Sequence, residues 1–275
     1  MKTLYISDLD GTLLQPDVEI SETSIRILNE LIDRGMLFSV ATARTIASVK
    51  PILRNLKVTM PIILMNGVCI YDPGKDDYIR VEAFEKASKE ELMSVITGHK
   101  LKGFAYSVKD GKLSTYYEDL NSKALWDFYD ERVTRYNKKF TQVDSFSRLL
   151  DVPLIYFSLI DRKEALEPIY RIVEAIPDLN CVMYKDNYSP DGWFLEIFSQ
   201  NASKYHAAQF LRNYLNLDRI VCFGDNRNDL SLFEAGDYKL AVANAVSELK
   251  QKADEVIGSN VNDGVAAWLK RNVKL

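Results

Sequence analysis

Apolar positions change rhythm twice along the chain. The first stretch couples short apolar runs to helical ones: residues 4–6 read as a buried strand, and ISETSIRILNELIDRG sets Ile25, Leu28, Leu31 and Ile32 on one helical face. Ser21 is placed to cap that helix, Glu22 lies in its first turn and Gly35 stops it. MLFSVAT and MPIILMNG lack period-two alternation, as strands covered on both faces do. TIASVKPILRNL between them is a predicted helix that Pro51 kinks or begins. Such strands separated by helices predict βαβ units and a parallel sheet.

From Gly67 to about Ser199 the texture differs. VCIYD and YIRVEAF flank a DPGKDD turn, and FAYSVKDGKLSTYYE carries Asp110-Gly111 between two strand-like arms, a hairpin signal. Helical stretches (SKEELMSVITGHK, NSKALWDFYDERVTRY, KEALEPIYRIVEAI) and the strand PLIYFSLI complete an order of roughly αββαβαββ. The βα rhythm then returns with NASKYHAAQFLRNYLN, DRIVCFGD, RNDLSLFEAG, YKLAVAN and VNDGVAAWLKR. The expectation is an α/β protein: a doubly wound, Rossmann-like parallel-sheet core from residues 1–84 plus 198–275, with an α+β module at 85–197 inserted into it.

At 275 residues, 47% hydrophobic and 27% charged, the chain can bury a sizeable core, and no apolar run approaches the length of a bilayer crossing. MKTLYISD lacks the apolar core of a secretory signal, so a cytoplasmic protein is expected. Cys69, Cys181 and Cys222 are odd in number and widely spaced, which favours buried thiols over disulfides or a zinc site. A net charge of −4 without a basic run disfavours nucleic acid as partner. A small molecule is the expected partner, and nothing in the sequence demands more than a monomer.

In a doubly wound sheet, ligands bind beyond the carboxyl ends of the strands. Those ends carry Asp8 and Asp10, Thr42, Asn66 and Asp225, and Lys204 opens the helix before the last of these strands. Singly, a DxD pair is an ordinary turn, a threonine an ordinary cap and a lysine an ordinary solvated charge. Together, clustered carboxylates suit Mg²⁺, while a lysine and a hydroxyl suit phosphate oxygens. His99 and His206 have no partner at ligand spacing. Tyr116, Tyr117 and the Trp126–Tyr129 run fit packing better than a pocket, and Trp193 fits either.

With DLDGTLL (8–14), VATAR (40–44), Lys204 and GDNRNDLSLFEAG (224–236) in this order, the chain resembles the haloacid dehalogenase superfamily, and within it the Cof-type phosphatases with an inserted cap. That resemblance implies a Mg²⁺-dependent phosphomonoester hydrolase for small organic phosphates, with sugar phosphates or phosphorylated cofactors as substrates. It implies that Asp8 is the nucleophile and Asp10 the general acid and base. It further implies that Asp8, the Asp10 carbonyl and Asp225 hold Mg²⁺, and that Thr42, the Ala43 N–H, Lys204 and Asn228 bind phosphate. Thr12 is expected to fix the loop carrying Asp10, and Asp229 to orient Lys204 or metal-bound water. Arg44 and Trp193 are candidate substrate contacts. Ala43 stands where relatives often have glycine, and NASKY replaces a glycine-rich lysine motif. The alternatives are a phosphomutase, for which residues 85–197 show no evident basic cluster, and a phosphate sensor without turnover, which intact Asp8 and Asp10 disfavour.

Overall fold

The computed structural model describes residues 1–185 and 192–274. The chain forms two compact units, one from Met1–Arg80 with Ser203–Leu275 and one from Val81–Ala202. In chain order the elements are β1 (Thr3–Ser7), α1 (Glu22–Asp33), β2 (Leu37–Val40), α2 (Ile46–Leu53), β3 (Ile62–Leu64), β4 (Cys69–Asp72) and β5 (Asp77–Val81). Next come α3 (Lys86–Gly98), β6 (Gly103–Lys109), β7 (Lys112–Tyr117), α4 (Lys123–Tyr136), β8 (Thr141–Gln142), β9 (Leu154–Asp161), α5 (Lys163–Glu174), β10 (Leu179–Lys185) and β11 (Trp193–Ser199). The last are α6 (Lys204–Leu215), β12 (Arg219–Gly224), α7 (Leu230–Ala235), β13 (Tyr238–Val242), α8 (Ser247–Lys252), β14 (Glu255–Ile257) and α9 (Gly264–Asn272).

The first unit is built on a parallel sheet in the order β14-β13-β12-β1-β2, continued by a parallel bridge from Ala41 to Ile63 at the start of the β3-β4-β5 sheet. The chain steps outward from β1 to β2 and β3, then returns to the other side of β1 and steps outward again. The strand order therefore reverses between β1 and β12, the place where such sheets open a crevice for ligands. β1, β2 and β12 are buried along almost their whole length, as their unbroken apolar runs require. Helices α1 and α9 pack together, as do α6 and α7.

Ser21 caps α1 by accepting from the Ser24 N–H at 3.0 Å, a bond that contributes about 1 kcal/mol. The buried stripe of that helix is Ser24, Ile27, Leu28 and Leu31. Ile25 and Ile32, expected in it, are half-buried at its border. Pro51 neither begins nor breaks α2; it sits in the second half of the helix, whose chain ends only two residues later. Three elements escape the hydrophobic pattern, β8, α8 and β14, because α8 is a single polar stretch and the two strands are short edge strands with mostly exposed residues.

The second unit has a six-stranded sheet, β10-β11-β9-β6-β7-β8, antiparallel except for the short β7-β8 pair. Asp110 (φ 50°) and Gly111 (φ 70°) make its β6-β7 turn with both residues left-handed, the twist that two-residue hairpins favour. One sheet face buries Ala105, Phe157, Leu159, Leu195 and Ile197 against Leu92, Met93 and Ile96 of α3 and Leu166, Ile169 and Val173 of α5. The other face carries Phe104, Tyr106, Tyr156, Ser158, Phe194, Glu196 and Phe198, in register across β6, β9 and β11. There α4 lays Phe128 on Phe104 with ring centroids 4.6 Å apart. No helix among the described residues is long and apolar enough to cross a membrane.

One close approach ties fold to site. Gly67 has φ +99°, and a Cβ placed there would lie 2.1 Å from the Ser203 carbonyl oxygen, at the start of α6. Gly67→Ala is therefore expected to lower the unfolding free energy by about 2 kcal/mol or more, read from urea denaturation. A change under about 0.5 kcal/mol would show that the contact is not tight.

Candidate active site

The site is assembled from chain segments that leave the sheet at the β1/β12 reversal. Asp8 continues the pairing of its strand, donating its N–H to the Phe223 carbonyl at 3.0 Å. Leu9 is fully buried and anchors the strand end. The loop that follows is closed by the Leu14 N–H to the Leu9 carbonyl at 2.9 Å and turns at Gly11 (φ +80°). A Cβ on Gly11 would lie 2.3 Å from Asp225 Oδ2, so the glycine is needed for the approach as well as for the turn. The Thr12 hydroxyl donates to Asp225 Oδ1 at 3.0 Å. Thr12, expected to steady the Asp10 loop, thus reaches across to hold the carboxylate that follows β12.

Two further loops are zipped together by backbone. The Thr42 N–H bonds the Ile63 carbonyl at 3.0 Å, the Asn66 N–H the Thr42 carbonyl at 3.0 Å, and the Met65 N–H the Arg44 carbonyl at 3.1 Å. To do so Met65 (φ 52°), Asn66 (φ 55°) and Gly67 (φ 99°) run through three consecutive left-handed conformations. Each non-glycine residue there costs about 1 kcal/mol or more, a strain tolerated where surrounding structure fixes it. Thr42 is 1% exposed, and its hydroxyl accepts the Arg44 N–H at 3.1 Å. Ala43 is not among the described residues with positive φ, so its methyl group brings no backbone penalty. Asn228 donates from Nδ2 to Asn66 Oδ1 at 3.4 Å.

Lys204 lies at the centre. Ser203 caps α6 through the His206 N–H at 3.0 Å, and Lys204, the first helical residue, sends its side chain into the sheet reversal. Its Nζ donates to Asp8 Oδ1 at 2.6 Å and to Asp229 Oδ1 at 2.7 Å, with the lysine and Asp229 side chains fully buried. The other Asp229 oxygen accepts the N–H groups of Asp225 (2.9 Å) and Asn226 (3.2 Å), so this carboxylate also shapes the loop that presents Asp225. Gly224 makes room for it, since a Cβ there would lie 2.7 Å from Asp229 Cβ.

Three acids and one ammonium do not balance. Burial disfavours charge on Lys204, but the Asp229 and Asp8 carboxylates outweigh it and hold the ammonium form above its ordinary range. Burial, then repulsion from Asp229, raises Asp8 well above the usual carboxylate range, and Lys204 offsets only part of this. Burial, again followed by Asp229, pushes Asp225 up to about 7 against the pull of the Thr12 hydrogen bond. Carboxylate oxygens of Asp8, Asp225 and Asp229 all lie within 4.8 Å of one another. Asp229 already accepts from Lys204 and two amides, more donors than the Asp8 or Asp225 side chain has, so Asp8 and Asp225 have the most to gain from a hard cation.

Asp10 and Arg44 stand differently from expectation. The Asp10 carboxylate is outside the three-acid cluster and is bonded through both oxygens to Arg44, Nε to Oδ2 at 2.7 Å and Nη2 to Oδ1 at 2.6 Å. Arg44, expected to face substrate, is thus already engaged by an acid. Trp193 belongs to the second unit, at the start of β11, where Lys163 Nζ lies 5.3 Å from its ring centroid. Sequence reasoning missed Asn244, whose Nδ2 donates to the Gly11 carbonyl at 2.7 Å and steadies the turn beside Asp225. Its only trace was an asparagine at the end of a strand.

The doubly wound sheet carries acids and a lysine at its reversal and is interrupted by an α+β insertion. Residues 5–269 match the haloacid dehalogenase-like hydrolases, and the chain belongs to that family. It is 26% identical to the 5-amino-6-(5-phospho-D-ribitylamino)uracil phosphatase YitU of Bacillus subtilis, over 99% of this chain and 98% of the relative. It is 26% identical to the pyridoxal phosphate phosphatase YbhA of Escherichia coli, over 95% of each. The X-ray structure of a Thermotoga maritima protein superposes with a TM-score of 0.81 at 28% identity, covering 100% of this chain and 99% of that one. Within the family the chain is a phosphatase, a hydrolase of phosphoric monoesters.

Lys204→Met removes the cation bonded to the buried Asp8 and Asp229 carboxylates. It is expected to cost about 3 kcal/mol or more at pH 7, and less at pH 5, where Asp8, whose carboxyl pKa burial already raises, is more easily protonated. Chemical denaturation at the two pH values reads both; a loss that does not depend on pH would contradict the charge assignment.

Proposed function

We propose that the chain is a Mg²⁺-dependent phosphatase of small organic phosphates, sugar phosphates or phosphorylated cofactors, working through an aspartyl-phosphate on Asp8. The observation that carries this is the Lys204 ammonium held at 2.6 Å from Asp8 and 2.7 Å from Asp229, with Asp225 in the same cluster. Lys204 keeps Asp8 oriented and lowers the cost of its ionisation, as a carboxylate nucleophile requires. Two relatives are named for phosphorylated small molecules of this size, a ribitylaminouracil phosphate and pyridoxal phosphate.

In this scheme an Asp8 oxygen bonds to phosphorus while the ester P–O bond breaks, and the leaving alcohol takes a proton from Asp10. Water then attacks phosphorus, gives a proton back to Asp10, and the phosphorus bond to Asp8 breaks to release phosphate. Asp10 must first part from Arg44, and a phosphate entering beside the Thr42–Arg44 loop is the natural competitor for that guanidinium. Thr42, the Ala43 N–H, Lys204 and Asn228 bind the transferring oxygens, and Asp229 positions Lys204. The Asp8 and Asp225 side chains and the Asp10 carbonyl would hold Mg²⁺, which would supply charge to offset repulsion between nucleophile and phosphate. The inserted module, residues 85–197 in the sequence reading, serves as a cap that sets substrate choice, with Trp193 as one contact.

Release of phosphate from an aryl phosphate is expected with Mg²⁺, to fall strongly on chelation, and to drop by on the order of 10³-fold or more in Asp8→Asn. No release from the intact protein would favour a sensor; isomerised hexose phosphate without net release would favour a mutase. A pH signature accompanies this. Because the folded-state pKa of Asp225 is raised to about 7, its contribution to stability is present in full below the ordinary carboxylate range and is lost as pH rises through about 7. A cation replaces the lost proton, so the rise in Tm that Mg²⁺ produces is expected to be larger at pH 8 than at pH 5. Scanning calorimetry at the two pH values reads it, and equal shifts would contradict it.

A further inference from the structure

One short turn of the first unit grips both loops of the proposed cation site. After β13 the chain turns at residues 242–245, closed by the Ala245 N–H to the Val242 carbonyl at 2.9 Å. Asn244, inside that turn, donates from Nδ2 to the Gly11 carbonyl at 2.7 Å. Two residues later the Val246 N–H donates to the Asp225 carbonyl at 2.8 Å. The turn is therefore bonded to the loop that follows β1 and to the loop that follows β12. Gly11 is also where those loops meet, since a Cβ there would lie 2.3 Å from Asp225 Oδ2.

The Asn244 amide is itself oriented. Its Oδ1 accepts the Asn260 N–H at 3.0 Å, so the amide presents its NH2 side to Gly11. Asn260 also donates from Nδ2 to the Leu14 carbonyl at 2.9 Å, and its own carbonyl accepts Gln15 Nε2 at 3.0 Å. The loop carrying Asp10 is thus pinned at Gly11 and again at Leu14 by two asparagines that lie far away in sequence and bring no charge to the acid cluster. Asn244 is exposed, and water competes for both partners of an exposed bond, so this bond adds little to global stability. Its effect falls on where the loop sits. Gly11, with no side chain and φ +80°, has the widest choice of backbone angles in the loop, and its peptide directly follows the Asp10 carbonyl. Holding the Gly11 carbonyl keeps its neighbour in one direction.

We propose that Asn244, oriented by Asn260, is a positioning residue for the cation site, setting with Val246 the gap between the Asp10 carbonyl and the Asp225 carboxylate. This rests on the Mg²⁺-dependent phosphatase reading, and its test reads binding rather than turnover. Mg²⁺ is titrated calorimetrically into the metal-free full-length protein and into Asn244→Ala and Asn244→Ser, which both lack the amide. Each substitution is expected to raise the Mg²⁺ dissociation constant by about fivefold or more. The Tm of the metal-free protein is expected to move by less than about 2 °C. Asn29 supplies a matched control, because its Nδ2 donates to the Asn55 carbonyl at 2.9 Å and its Oδ1 accepts the Lys57 N–H at 2.8 Å. Asn29→Ala removes the same pair of bonds from α1 and is expected to leave the Mg²⁺ affinity within about twofold. A change below about fivefold in both Asn244 variants, or an equal weakening in Asn29→Ala, overturns the proposal. A weakening that comes with a fall of several degrees in the metal-free Tm makes Asn244 a general structural residue and overturns it equally. Intact protein that binds no Mg²⁺ would instead overturn the metal-dependent reading.

Discussion

The buried bonds from Lys204 to Asp8 and Asp229 are the constraint on which the site depends. An ammonium without water must be surrounded by acceptors, and two carboxylates without water must be close to a cation. Neither condition is met unless β1, α6 and the loop after β12 arrive together, so the ion triad works as a test of correct assembly. The triad is also under-neutralised once Asp225 is counted. In the proposed scheme it is that residual negative charge, rather than any single acid, that draws in the hard cation.

Close backbone approaches make this arrangement possible. Gly11 lets the first loop pass beside Asp225, Gly224 admits Asp229, and Gly67 lets a strained left-handed turn seat against the start of α6. The strain of Met65 and Asn66 is held by the bonds from that turn to Thr42 and Arg44. Rigid placement of this kind serves chemistry in which donors must already point at the reacting group.

Much of this was legible in the sequence. The alternation of apolar strands and amphipathic helices is a local property, and so is the Asp110-Gly111 turn; both follow from short-range physics. The family followed from four motifs in order. Pairings between distant segments were not legible. Thr12 follows Asp10 in sequence yet bonds Asp225, and Arg44 binds Asp10, because hydrogen-bond partners are set by how the loops meet after folding. Ile25 and Ile27 are equally apolar, and only the packing of α1 decides that Ile27 is the buried one.

In the proposed mechanism Asp8 and Asp225 form one cation site, and Asp225 shares a proton with solvent near neutrality. Carbon-13 NMR of the aspartate carboxyl groups tests this directly. In metal-free protein one carboxyl, assigned through Asp225→Asn, is expected to titrate around pH 7, and Mg²⁺ is expected to shift it together with Asp8 at a single saturation point. An Asp225 carboxyl that titrates in the ordinary range, or that Mg²⁺ leaves unmoved, would contradict the account.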